Sequence, residues 1–371
     1  MRKAVFRVFC LALCFAGSVL LLRLTLWDKS PNKYAYPKSS STRVTKTLAP
    51  ATPVRNFVFV KTHKTGSTSI RDILRRYIRS HGLIELVSEM GPQPYMKNQF
   101  LEVDNPNTYR VTHKPGDYNA LISHCRYRKS VIDELIPSPI YFTILRNPYS
   151  LFLSAFDFFP PVRQCAGGVG ISSLEVLDNP RTYYERLQNC VHHWHILNPM
   201  AYDLGLEPPY DEKDVRNRIR EMDDAFSFVM IMEHYPESVV MLRRLLKWNL
   251  TDVVMMPVRT HPKLKKDENV SNYEKLVAHH EDVQLTDRHK EVLRDWQRAD
   301  FLIYNHFLDV FREKIRDEER RTGDFVAEVE EYKEDDQTLH GSQVQCRQIG
   351  VAKKTAFFCE KSLIRLNSSV T

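Results

Sequence analysis

An unbroken apolar run, Phe57-Val58-Phe59-Val60, is followed by a polar turn over residues 62–66 and then by Ile70, Ile73, Leu74, Tyr77 and Ile78. A run without alternation suits a strand buried on both faces of a parallel sheet, and apolar residues three and four apart mark one face of a helix. Strand, loop, helix is the unit predicted, and it recurs. Ala120-Leu121-Ile122 reads as a second short buried strand ending at Ser123-His124. Residues 141–145 read as a third, followed by Arg146-Asn147-Pro148 and a helix to about Phe158. Further strands are expected at 226–232 and 253–256, a helix at 238–248, and helices over much of 287–319. Strands alternating with helices predict an α/β fold, a P-loop-like parallel sheet flanked by helices. Residues 91–115, rich in Pro and Asn, are expected to be irregular, and the mostly acidic stretch 328–336 reads as a solvated helix or tail.

The N-terminus has a different pattern. Arg2, Lys3 and Arg7 precede an apolar run over 8–22, and with looser edges, 4–27, the stretch reaches across a thin bilayer of roughly 27 Å. Positive charge ahead of the span predicts one N-terminal transmembrane helix with its N-terminus in the cytosol. The domains expected are a cytosolic tail (1–7), a signal anchor (8–27), a Ser/Thr/Pro/Lys-rich stem (28–55) and a lumenal domain (56–371). The alternative is a signal peptide cleaved near Ala16-Gly17-Ser18. Three glycosylation sequons, at Asn249, Asn269 and Asn367, agree with a lumenal domain. Cys10 and Cys14 fall in the membrane run, and of the other five, proximity suggests Cys165–Cys190 and Cys346–Cys359, leaving Cys125 over. No cysteine or histidine group has metal-ligand spacing, so no metal is expected. A length of 371 residues allows one large α/β domain with accessory segments or two small domains. The net charge of +7, with bases and acids mixed, fits an anionic ligand or membrane surface better than nucleic acid.

Two segments carry candidate chemistry. In Lys61-Thr62-His63-Lys64-Thr65-Gly66-Ser67-Thr68-Ser69 a loop joins a buried strand to a helix start, where unpaired N–H groups and the helix dipole favour an anion. Gly66 allows close approach of the backbone, the three hydroxyls after it add donors, and Lys61 and Lys64 add charge. It is not a Walker A loop, because Lys64 precedes Gly66 and the loop has no earlier glycine. A plain helix cap by Ser67 or Thr68 would explain the hydroxyls but not three basic residues on one turn. In the second segment, Arg146 ends a strand at the edge where open α/β sheets bind ligands, Pro148 suits a first helical turn, and Ser154 follows two turns on. Arg146 and Ser154 are therefore candidates to hold one phosphate between them.

Taken together, K-T-G-S-T after the first strand and R-N-P with a serine eight positions past the arginine resemble the donor-binding signature of the sulfotransferases that use 3′-phosphoadenosine 5′-phosphosulfate (PAPS). The strings Lys61-Thr62-His63-Lys64-Thr65, Ser123-His124-Cys125-Arg126-Tyr127, Ile144-Leu145-Arg146-Asn147-Pro148, 237–248 and Tyr304-Asn305-His306-Phe307 are similar to the galactose 3-O-sulfotransferases, the group that includes galactosylceramide sulfotransferase. The resemblance spans about 56–315, fades afterwards, and leaves the stretch from Gly341 unplaced. It departs from the family where Cys125 follows the histidine instead of preceding it, so no family disulfide is carried over.

The resemblance implies a Golgi type II membrane enzyme that moves a sulfuryl group from PAPS to the 3-hydroxyl of galactose on a glycolipid or glycoprotein, without a metal. Lys61, Thr62, Lys64, Thr65, Gly66, Ser67, Thr68 and Ser69 would hold the 5′-phosphosulfate, and Arg146 and Ser154 the 3′-phosphate. In-line transfer needs a cation for the leaving oxygen, assigned to Lys64, and a base for the acceptor hydroxyl. His124 is the choice for the base, with His63 as rival and a purely structural His124 as the alternative. The cluster His192-His193-Trp194-His195 reads as surface or as acceptor-site lining. Two other classes remain open at this stage: a catalytically silent glycan-binding membrane protein and a nucleotide kinase.

Overall fold

The computed structural model describes residues 52–87, 113–168, 170–191, 193–254 and 284–348, with 338–348 as backbone. The predicted tail, signal anchor and most of the stem, the sequons at Asn269 and Asn367, most of the irregular stretch 91–115, and the pairing Cys346–Cys359 lie outside the described residues or side chains. Among the described residues no helix is long and apolar enough to cross a membrane.

The elements run β1 (Phe57–Val60), α1 (Ser67–Ser80), β2 (Ala120–Leu121), α2 (Lys129–Leu135), β3 (Ile140–Leu145), α3 (Pro148–Phe158), α4 (Pro160–Ala166), α5 (Ser173–Asp178), α6 (Pro180–Gln188), α7 (Pro199–Asp203), α8 (Glu212–Ala225), β4 (Phe226–Ile231), α9 (Tyr235–Leu246), α10 (Leu250–Val253), α11 (Asp287–Trp296), α12 (Arg298–Thr322) and α13 (Phe325–Gln348). The four strands form one parallel sheet in the order β2-β1-β3-β4. β1 is buried at all four positions, as a strand covered on both faces must be. On α1, Ile70, Ile73, Leu74, Tyr77 and Ile78 are all buried, so the helical period read from the sequence is the face the helix turns to the sheet.

The apolar residues form two clusters. One surrounds the sheet and includes Phe57, Phe59, Phe142, Ile144 and Met230. The other joins α3–α6 and α11 through Phe152, Phe156, Leu187, Leu293 and Trp296. The disulfide Cys165–Cys190 is present and ties α4 to the turn after α6, while Cys125 is buried and its Sγ lies 3.4 Å from the Arg126 carbonyl. Val54, near the end of the stem, already donates a backbone hydrogen bond to Leu246 at 2.9 Å.

Two expectations are corrected. The strand expected at 253–256 does not begin at Val253, which ends a helical turn over Leu250–Val253 opened by a reciprocal capping box of Asn249 and Asp252. The last two residues of that expected strand lie outside the described ones. The sequon side chain of Asn249 is thus an exposed helix cap. The acidic C-terminal stretch is also more than a solvated tail. Phe325, Val329, Tyr332 and Asp336 are buried along one side of α13, a spacing of four, three and four. Arg244 on α9 holds that helix electrostatically, pairing with Glu318 at 2.8 Å, Asp324 at 2.7 Å and Glu328 at 2.7 Å.

Candidate functional site

Parallel strands leave their loops at one edge, and here three of those loops converge. β1 runs into Lys61–His63, the chain after β2 carries His124, and β3 ends one residue before Arg146. Lys64 itself adopts a left-handed backbone conformation, φ 58°, as does Gly66, φ 76°, and these two bends fold the loop over the start of α1.

Within the loop the predicted residues divide into builders and presenters. The Thr62 hydroxyl donates to the carbonyl of Ile144 at 2.5 Å and lies 2.7 Å from the Thr65 hydroxyl, so both threonines are spent on holding the loop to β3. Ser67 donates to the carbonyl of Thr62 at 2.5 Å and accepts from the Lys61 ammonium at 2.8 Å. Thr68 is exposed and lies 3.5 Å from the same ammonium, and Ser69 is buried. Gly66 is the residue before α1, and no side chain caps the helix. A helix cap by Ser67 or Thr68 is therefore ruled out, and the first-turn N–H groups have no side-chain acceptor.

Three cations surround this helix start. Lys61 is 3% exposed and Arg146 5%. Lys64 extends its ammonium over the ring of Phe158, 3.6 Å from its centroid, and Phe158 is itself half exposed at the rim. Burial pulls the Lys61 ammonium down to about 7. Burial, followed by the charge of Arg146, pulls Lys64 down to about 8. Burial also lowers Arg146, whose guanidinium, among the described residues, donates to neutral oxygens: the Ser150 hydroxyl at 3.1 Å and the Lys64 carbonyl at 3.1 Å. The nearby carboxylate of Glu233 is occupied by the backbone N–H of Asn147 at 2.8 Å and the hydroxyl of Tyr304 at 3.1 Å. Asp203 and Asp72 act on Lys61, Asp157 on Lys64 and Glu233 on Arg146, but they offset burial only in part, and three desolvated cations leave a place whose chemistry suits a polyanion. Ser154 is buried on α3 as expected, but Arg146 bonds to Ser150, half as far along the helix.

The two predicted histidines form one unit beside this cluster. Their rings stack with centroids 3.9 Å apart. His124 donates from Nδ1 to the carbonyl of Lys61 at 3.1 Å, and burial together with His63 and Lys61 holds its pKa well below the usual imidazole range. His63 faces Asp203, whose carboxylate lies 2.9 Å and 3.0 Å from Nδ1 and accepts the His63 backbone N–H at 2.6 Å. The sequence reading missed Asp203, Ser150 and Glu233. Asp203 lies 140 positions from His63, and nothing local to either residue signals the pair.

The aromatic histidine cluster is not mere surface. Trp194 and His195 stand edge-on to His63, each with centroids 5.5 Å away, and His195 stacks on Phe159 of the second apolar cluster at 3.9 Å. His192 lies outside the described residues. Among the described residues no group of three His, Cys, Asp or Glu side chains is placed to hold a metal.

Comparison with known proteins places this geometry. The galactose-3-O-sulfotransferase family profile matches residues 2–363, well beyond the stretch recognised from the motifs. The chain belongs to the galactose-3-O-sulfotransferase family. It is 32% identical to human galactose-3-O-sulfotransferase 3 over 259 residues, covering 68% of this chain and 55% of that protein. It is 29% identical to pig galactose-3-O-sulfotransferase 2 over 296 residues, covering 77% and 68%. Against human galactosylceramide sulfotransferase it is 32% identical over 208 residues, covering 54% and 48%. The chain thus spans about half to two thirds of the length of these galactose-3-O-sulfotransferase relatives.

Proposed function

We propose that this chain is a metal-independent enzyme that transfers a sulfuryl group from PAPS to the 3-hydroxyl of a galactose-terminated glycolipid or glycoprotein glycan. The observation that carries the proposal is the set of cations around an uncapped helix start, Lys61 and Arg146 buried and Lys64 half-buried at the rim. PAPS offers two phosphate positions and a sulfate, which suits cations on two separate loops. Lys61, Lys64 and the first-turn N–H groups of α1 face the 5′-phosphosulfate, with Thr62, Thr65 and Ser67 shaping the loop. Thr68 and Ser69 complete that segment, and Arg146 holds the 3′-phosphate with Ser150 and Ser154 on the same helix. Lys64 is the cation placed for the leaving oxygen, since its ammonium sits at the rim against one aromatic ring and can move inward.

One member of the stacked pair His63 and His124 supplies the base for the acceptor hydroxyl. Trp194, half-buried and edge-on to His63, offers an aromatic surface beside that base and lines the acceptor side. The basic flank and apolar run of 1–27 support a Golgi type II anchor, as the relatives' name galactosylceramide sulfotransferase supports a lipid-borne acceptor.

The test is thermal stabilisation of the full chain in detergent by PAP, the desulfated donor, against Mg-ATP. A ligand that binds only the folded protein raises Tm, by about 2.7 kcal/mol of stability at a hundredfold excess over Kd. Stabilisation by PAP and sulfation of a galactosyl glycan are expected. Stabilisation by PAP without transfer to any galactose-terminated acceptor would identify a silent binding protein, and stabilisation by Mg-ATP alone a kinase.

A further inference from the structure

We propose that His63, acting through Nε2, takes the proton of the acceptor hydroxyl, and that Asp203 is the positioning residue that makes it able to do so. The inference deepens the function proposed above and rests on it. Both oxygens of the Asp203 carboxylate lie within hydrogen-bond distance of Nδ1, and one also accepts the backbone N–H of the same residue, His63. A carboxylate can only accept, so Nδ1 must carry the hydrogen and the lone pair must sit on Nε2. Among the described residues Nε2 of His63 makes no hydrogen bond.

The stacked partner makes the choice between the two rings. Two imidazoles with centroids 3.9 Å apart do not both become cationic. His124 gives its Nδ1 proton to a neutral carbonyl and faces Lys61, with Arg71 also acting on it, so a positive charge there is opposed. His63 has an anion 2.9 Å behind it, so a proton arriving at Nε2 creates an ion pair between two buried side chains. His124 then acts as a flat wall that keeps the His63 ring in plane.

Asp203 is itself held on rigid supports. It is fully buried, and it closes α7, whose first turn is capped by Asp300 through the N–H groups of Met200 at 3.2 Å and Ala201 at 2.8 Å. Its carbonyl accepts from the N–H of Tyr127 at 3.0 Å, three residues past His124, which fixes α7 to the segment carrying the second ring. In the transfer step the acceptor oxygen–sulfur bond forms as the bond between sulfur and the 5′-phosphate oxygen breaks. The acceptor proton moves to Nε2 of His63, and the leaving oxygen's charge is met by Lys64.

The experiment compares wild type with Asp203→Asn, His63→Gln and His124→Asn as full chains in detergent. In Asp203→Asn the amide oxygen can still accept the His63 backbone N–H, while its NH2 group faces Nδ1 and drives the hydrogen to Nε2. The expected result is a fall in kcat of ~10²–10⁴-fold with acceptor KM and PAP Kd within about threefold of wild type. Nitrogen NMR of histidine-labelled protein, with His63 assigned from His63→Gln, should show the hydrogen on Nδ1 in wild type and on Nε2 in Asp203→Asn. His63→Gln should lose as much turnover as Asp203→Asn, and His124→Asn less than about tenfold. A wild type that transfers sulfate while Asp203→Asn transfers as fast overturns the assignment alone, as does a His124→Asn loss larger than that of His63→Gln. If Asp203→Asn fails to fold, a wild-type His63 carrying its hydrogen on Nε2 still overturns the assignment. A wild type with neither PAP binding nor transfer overturns the functional reading and the assignment together.

Discussion

Two arginines, the buried Arg146 and the half-buried Arg244, show how differently this protein uses the same side chain. Arg244 meets three carboxylates, Glu318, Asp324 and Glu328, and is more firmly charged than a free arginine because of them. Arg146 is more deeply buried, yet among the described residues its guanidinium bonds a hydroxyl and a carbonyl, and burial weakens its hold on the proton. Lys61 and Lys64 share the second condition. A cation whose partners belong to the fold is an element of stability. One that is desolvated without a matching anion costs stability, and that cost makes sense when a ligand brings the anion.

Substitutions at the two ends of the comparison should therefore separate binding from folding. The largest effect is expected at Lys64. Lys64→Ala should lower kcat/KM by ~10³-fold or more, because its ammonium is proposed to serve both the bound sulfate and the leaving oxygen. Arg146→Gln should weaken PAP binding by ~10–100-fold, the equivalent of about 1.5–3 kcal/mol for a charge-assisted contact, and leave Tm unchanged or raised. Arg244→Met should do the opposite. It strands three carboxylates between α9, α12 and α13, so unfolding free energy should drop by ~2–4 kcal/mol with PAP affinity within twofold. Calorimetric PAP titrations beside denaturant melts read both quantities, and a loss of affinity in Arg244→Met with intact Tm would erase the distinction. The smallest effect is expected at Ser150, where Ser150→Ala removes one neutral partner of Arg146 and should cost about tenfold or less in PAP affinity.

The sheet and the cradle were legible because their signals are local. Residues 57–60 need no partner to read as a buried strand, and Lys61–Ser69 carries its charge and hydroxyls within one turn. The stripe Phe325, Val329, Tyr332 was equally present, but dense charge around it hid a docked helix behind the appearance of a solvated one. The roles inside the cradle were not legible. Whether Thr62 faces a ligand or the carbonyl of Ile144 depends on a contact 82 positions away, and Asp203 reaches His63 across 140. Ser150 was overlooked for the better-known spacing to Ser154, though a side chain four residues along a helix lies closest to Arg146.

The depressed lysines also give the ligand-free protein a pH signature. Lys61 falls from an ordinary 10.5 to about 7 and Lys64 to about 8, so between those values and 10.5 the unfolded chain holds more protons than the folded one. The cost of these two groups should therefore be full and independent of pH below about 7, where both states are protonated, and be relieved as pH rises across that window, so stability rises with pH there. On the acid side the lowered His124 acts in the same sense, so stability should fall as pH drops through the usual imidazole range. Saturating PAP, by restoring charge to Lys61 and Lys64, should flatten the alkaline slope.

The proton count on PAP binding tests the claim about these cations most directly. At pH 8 the phosphates of PAP are already ionised, their second pKa being about 6. A site that raises Lys61 and Lys64 toward their ordinary values must then take protons from solution. Calorimetry of the full chain at pH 8, in buffers of different ionisation enthalpy, should show uptake on the order of one proton per PAP bound, reduced in Lys64→Ala. Tight PAP binding with no uptake, or with proton release, would contradict a phosphate site built from desolvated lysines.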